Sequence, residues 1–162
     1  VIDLSVDAQA LQALGRRLRD EADGKKLRRD LAKNIRQALE PAKQEVRSGL
    51  MGMSTAGLPV DGPPLRATVL KGLRAEARLT GRSTGARLRM RKTPQLRGFK
   101  NAPKRLNSKK GWRRQVYGQD IWVVQTGARE YFDGPITRGR ARYRAAVLTA
   151  MNDTARRITR KV

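Results

Sequence analysis

The chain reads as an α+β fold, with antiparallel hairpins preceded by helices and followed by one more. Three observations predict this. Apolar residues recur at three- and four-residue steps over 7–50 and again over 135–161. Between 73 and 91 they alternate instead with cations, which is the period of a half-buried strand. A second hairpin, Trp112–Tyr117 and Ile121–Thr126, turns at Gly118-Gln119-Asp120. Elements segregated in this order pack as helices on one face of an antiparallel sheet. A chain of 162 residues suits one domain.

Residues 2–6 are short and β-like. Asp7 offers an N-cap to a first helix that carries Leu11, Leu14 and Leu18 on one face. Gly24 breaks it. A longer helix follows, striped by Leu27, Leu31, Ile35, Ala38, Leu39, Ala42, Val46 and Leu50, with Lys26, Arg29, Lys33 and Arg36 opposite. Pro41 lies inside this pattern and must kink or interrupt it, since proline removes a helical donor. Residues 51–64 are rich in Gly, Pro, Ser and Met and read as a flexible loop. Pro63-Pro64 then suits a helix start, giving two turns over 65–72.

In the first hairpin Leu73, Ala75, Ala77 and Leu79 face one way, and Arg74, Glu76 and Arg78 the other. After the turn Thr80–Gly85, the residues Ala86, Leu88 and Met90 alternate with Arg87, Arg89 and Arg91. Residues 92–111 read as a long irregular basic loop, punctuated by Pro94, Gly98 and Pro103. Residues 127–135 form a further turn region. The closing helix is striped by Tyr143, Val147, Ala150, Met151, Ala155 and Ile158, and ends in Arg156, Arg157, Arg160 and Lys161. Cations in a last turn are also what the helix dipole favours.

Charge is the strongest compositional signal. Lys and Arg number 37 against 14 Asp and Glu, a formal +23. Self-repulsion of that size opposes compaction and assembly unless a polyanion or an acidic protein neighbour neutralises it. No acidic residue stands between Glu76 and Asp120. Arg87, Arg89 and Arg91 would stand about 6.6 Å apart along a strand, comparable with phosphate spacing on one nucleic-acid strand. With Lys92, Arg97, Lys100, Lys104, Arg105, Lys109, Lys110, Arg113 and Arg114 they make up the expected surface for a polyanion or an acidic partner. No zinc finger, aromatic RNA-binding motif or helix-turn-helix is visible, so DNA contact would be with the backbone alone and steeply salt-dependent.

Enzymatic chemistry has little to work with. The chain has no His and no Cys, which removes the commonest general base, thiolate nucleophiles and the usual zinc ligands. Asp61, Glu76 and Arg78 loosely match the carboxylate-then-carboxylate-x-cation spacing of metal-dependent nucleases, but Glu76 between two arginines on a strand face needs no catalytic role. The expectation is therefore a non-enzyme with no cofactor and no metal. No apolar run approaches the roughly 20 residues that cross a bilayer. Val1-Ile2-Asp3-Leu4 lacks the pattern of a secretory signal, so the chain reads as cytoplasmic when made.

Several stretches carry a family resemblance. Gly111-Trp112-Arg113-Arg114-Gln115-Val116-Tyr117-Gly118, Trp122-Val123-Val124-Gln125, Tyr131-Phe132 and Arg144-Ala145-Ala146-Val147 with Ala150-Met151 resemble the tail-component family of lambdoid phages and actinophages. Pro64-Leu65-Arg66, Ser83-Thr84-Gly85 and Arg97-Gly98-Phe99-Lys100-Asn101-Ala102-Pro103 are similar to its actinophage branch. The likeness spans residues 7–160. Many members carry a His after the Trp-Arg pair and a Pro before the later aromatic, where this chain has Arg114 and Glu130.

The resemblance implies a structural α+β subunit of the phage head–tail neck, acting in tail completion or as a tail terminator. It would form a homo-oligomeric ring, commonly a hexamer, between head-closure and tail proteins. Genome dsDNA would pass through the lumen, no membrane would be involved, and the protein would end in the virion after assembly in the host cytoplasm. On this reading Trp112, Tyr117, Trp122, Tyr131 and Phe132 are the candidates for subunit contacts. The alternative is a free, sequence-nonspecific nucleic-acid-binding protein.

Overall fold

The computed structural model describes residues 2–3, 8–20, 23–53, 64–81, 84–96, 99–116 and 118–159. Asp7, Asp61, Arg97, Tyr117, Arg160 and Lys161, which the sequence reading singles out, lie outside the described residues, as does most of the 51–64 loop. The elements run β1 (Ile2–Asp3), α1 (Ala8–Asp20), α2 (Gly24–Ala38), α3 (Glu40–Met51), α4 (Leu65–Leu70), β2 (Leu73–Arg78), β3 (Gly85–Met90), α5 (Ala102–Asn107), β4 (Trp112–Gln115), β5 (Trp122–Gln125) and α6 (Asp133–Thr159). The class is α+β, with N-terminal helices and a C-terminal helix as expected. The two hairpins do not share a sheet. One sheet has the order β1-β3-β2 and the other is β4-β5 alone.

The chain divides into two compact units, each built from separated segments. The first comprises residues 1–43, 74–89 and 138–162. Its core is Leu11, Leu18, Leu31, Ile35, Leu39, Ala42, Leu79, Ala86, Leu88, Tyr143, Val147 and Met151. These are the stripe positions of α1, α2, the first turn of α3 with the residue before it, and α6, together with the apolar face of the hairpin, and periodicity points to them. α1 packs against α2 and approaches the hairpin closely: a Cβ on Gly15 would sit 2.6 Å from the Leu79 carbonyl oxygen. On α6 the Tyr143 ring leans one turn toward the N-terminus, the usual direction for a helical aromatic, and covers Gly139. In the sheet, β1 is antiparallel to β3 with Ile2 opposite Leu88 and Asp3 opposite Arg87.

The expected interruption at Pro41 is present two residues earlier, at Leu39. α2 ends at Ala38, and the Leu39 N–H is shared between the Ile35 and Arg36 carbonyls at 3.2 Å each. α3 then starts at Glu40, leaving proline in a first turn where its missing donor costs nothing.

The second unit comprises residues 44–73 and 90–137. Val46, Leu50, Val69, Leu70, Leu73, Ala102, Leu106, Tyr131, Phe132 and Ile136 fill its core. Arg66 donates to the Met51 and Met53 carbonyls at 2.6 and 2.8 Å, satisfying the open end of α3 with a cation. The expectation of an irregular loop over 92–111 is corrected here, because α5 occupies Ala102–Asn107. Pro103 stands in its first turn and starts the helix instead of breaking it. Thr93 is buried and ties the preceding bend together. Its N–H donates to the Lys100 carbonyl at 2.9 Å, and its hydroxyl lies 3.1 and 3.2 Å from the carbonyls of Phe99 and Lys100.

Candidate assembly and polyanion surfaces

The β4–β5 hairpin is the most exposed ordered element of the second unit. Its register pairs Trp112 with Gln125, Arg113 with Val124, Arg114 with Val123 and Gln115 with Trp122. Cross-strand partners share a face, so Trp112, Arg114, Val123 and Gln125 line one side and Arg113, Gln115, Trp122 and Val124 the other. The first face is anchored. Trp112 meets Phe99 with ring centroids 5.4 Å apart, and the Arg105 guanidinium lies 5.4 Å from the centre of the same Phe99 ring. The base is anchored too, since a Cβ on Gly127 would come within 2.7 Å of the Leu106 Cα.

The second face is bare. Trp122 is 53% exposed and Val124 66%, with Ile121 at the turn 55% exposed. The Arg113 guanidinium sits 5.7 Å from the centre of the Trp122 ring, a cation–π contact that leaves both groups accessible. Among the described residues no further strand joins either edge of this two-stranded sheet. An isolated hairpin is marginal in water, and here Trp122 and Val124 stand exposed together on one face, while Ile121, one residue away, falls on the opposite face beside Val123.

The expected subunit-contact residues therefore divide. Trp122 is on the open face, and Trp112 is half-buried against Phe99. Tyr131 and Phe132 are corrected: they are 3% and 6% exposed and belong to the core, not to the surface of the chain. The Tyr131 hydroxyl donates to the Pro103 carbonyl at 3.4 Å. Burial, with the Asp133 carboxylate nearby as the smaller influence, pushes the phenol pKa above its ordinary value of 10.0.

The basic residues also differ from one another. Arg89, Arg91, Lys92, Lys100, Lys104, Lys109, Lys110, Arg113 and Arg114 are exposed, as a surface for anions requires. Lys109 is already paired with Glu130 at 3.1 Å, and Arg105 is half-buried over Phe99. Arg87 is half-buried with its Nε shielded from water, so the three alternating arginines are not equivalent. The Arg91 N–H donates to the Gly72 carbonyl at 3.1 Å, and counting inward along the hairpin from that bond sets Glu76 opposite Arg87. Glu76 is half-buried with one carboxylate oxygen enclosed, lacking a hydrogen-bond partner among the described residues.

Among the described residues no group of three acidic side chains is placed to hold a metal ion. No helix among them is long and apolar enough to cross a membrane. The charged face of α2, on which the sequence sets Arg29 and Arg36, has one feature the sequence does not foretell: Lys25, Arg28, Arg29 and Arg36 line a cleft with Ala77 and Leu79 of the hairpin. Their helical spacing was visible, but the strand beside them was not. Comparison with family models, curated proteins and solved structures gave no match.

Proposed function

We propose that this chain is a structural subunit that assembles with copies of itself into a ring in the head–tail neck of a tailed phage. The observation that carries the self-assembly is the bare Trp122-Val124 face of the β4–β5 hairpin, with Arg113 laid across the indole. Trp and Arg are the residues that concentrate binding energy at protein interfaces. A ribbon with two free edges also offers backbone groups to a neighbour. In a ring a copy must bind this patch through a different surface. That head-to-tail geometry closes into a ring when the rotation between copies allows. The phage assignment rests on the resemblance in the hairpin and C-terminal helix sequences, and DNA in a ring lumen would supply the counter-charge that +23 per subunit requires.

Negative-stain electron microscopy of the purified chain tests this, with annular particles expected. Single small particles at every concentration, with and without duplex DNA, would contradict it.

The alternative, a free nucleic-acid-binding protein, is favoured by the acid-free run between Glu76 and Asp120. It requires tight DNA binding by single chains and no assembly, so the same micrographs separate the two.

A further inference from the structure

The cleft on the first unit is built unlike the basic surfaces of the hairpin and loop. Lys25, Arg28, Arg29 and Arg36 of α2 form its rim, and Ala32, Ala77 and Leu79 its floor. It is an open cleft of about 410 Å³, within the range of pockets that bind ligands. From Lys25 to Arg36 the rim runs about 16 Å along the helix axis. No acidic side chain lines it among the described residues. None of the four cations has a side-chain hydrogen bond or ion pair to another described residue. Arg28 is half-buried, and its Nε–H is enclosed with no acceptor. A buried donor without a partner is costly and uncommon in a finished structure.

We propose that this cleft docks an extended acidic segment of a partner protein, seating carboxylates on the arginine rim and an apolar side chain on the Ala32-Ala77-Leu79 floor. A guanidinium donates two parallel bonds to a carboxylate, and the exposed Arg29 and Arg36 can each offer such a fork from the rim. The apolar floor favours a peptide over the backbone of a nucleic acid, which offers it only sugar and phosphate. A duplex is moreover a stiff convex rod that cannot enter a concave slot of this size. In an extended segment side chains alternate, so acids and apolar residues at successive positions reach rim and floor together. The inference does not depend on ring assembly.

The test is fluorescence anisotropy of the full chain with a dye-labelled peptide of alternating glutamate and valine, at physiological ionic strength. The double variant Arg28→Gln/Arg36→Gln should weaken binding about tenfold or more. Ala32→Phe, which fills the floor without changing charge, should weaken it comparably. Arg113→Gln/Arg114→Gln on the hairpin should leave it unchanged. The proposal is overturned if the wild-type chain does not bind the peptide, or if Ala32→Phe, folded by circular dichroism, binds like wild type. It is equally overturned if the cleft variants lose affinity for a DNA duplex while keeping the peptide.

Discussion

Asn107 and Asp133 are locked together across the start of α6. The Asn107 Nδ2 donates to Asp133 Oδ2 at 2.6 Å, while its Oδ1 accepts the backbone N–H groups of Phe132 and Asp133 at 2.9 and 3.3 Å. The Asn107 carbonyl also accepts the Glu130 N–H at 2.9 Å. The first amides of a helix have no partner within it, and here a residue from the end of α5 supplies one from outside. Tyr131 and Phe132 enter the core because this clamp sets the chain just before them.

Asn107→Ala should therefore cost about 2 kcal/mol, the sum of lost bonds and newly unpaired amides. Urea unfolding followed by circular dichroism would register it as a lower midpoint. Asn107→Asp should be at least as damaging, since it sets a second carboxylate against Asp133. A midpoint within error of wild type for both would remove the clamp from the account.

Gly139→Ala should destabilise α6 although alanine is the better helix former by about 1 kcal/mol. The added methyl meets the buried Tyr143 ring, with the Cζ atom only 2.5 Å from its position, and overpacking of that kind costs about 1–3 kcal/mol. Pairing it with Tyr143→Ala should restore the alanine preference. The melting temperatures of the three variants decide this.

Tyr131 makes the stability depend on alkaline pH. Its folded pKa lies above the unfolded value of 10.0, so the unfolded chain releases that proton first as pH rises. The contribution is complete below pH 10 and fades upward from there toward the folded pKa. Relative to wild type, Tyr131→Phe should show a shallower loss of stability above pH 10 and should lack the most alkaline step in a phenolate absorbance titration. An identical profile for both proteins would contradict the burial of this hydroxyl.

Arg89 and Arg91 should each contribute one phosphate contact to DNA binding, and Arg87 none. Substituting either exposed arginine by Ser should reduce the slope of log K against log salt by about 0.9. Arg87→Ser should leave the slope unchanged and lower stability, because its Nε is shielded inside the sheet. Equal slope changes for all three would mean that they stand on one open face after all.

Much of this fold was legible residue by residue. Leu11, Leu18, Leu31, Ile35, Tyr143 and Val147 lie in the core because three- and four-residue periodicity has one physical solution. Ala86 and Leu88 follow from the period of two. Long-range choices were not legible. Nothing in the residues of 112–126 says whether that hairpin pairs with the first, and among the described residues it does not. Pro103 looked like a breaker because the same residue both ends and begins helices, and only Asn101 before it hinted at a start. Tyr131 and Phe132, next to Gly134 and Pro135, carried the local signature of a turn, and their burial depends on Asn107, more than twenty residues away. The cleft was half visible, as cations on one face of α2, but its floor comes from β2 and the residue after it.

Sedimentation velocity on the wild-type chain and on Trp122→Ala/Val124→Ala asks whether the β4–β5 hairpin joins the copies. The wild type should sediment as one closed oligomer and the variant as a monomer, with the variant's melting temperature essentially unchanged because both side chains are exposed in the single chain. A wild type that remains monomeric at all concentrations, or a variant that assembles like wild type, would contradict the hairpin as the surface that joins the copies.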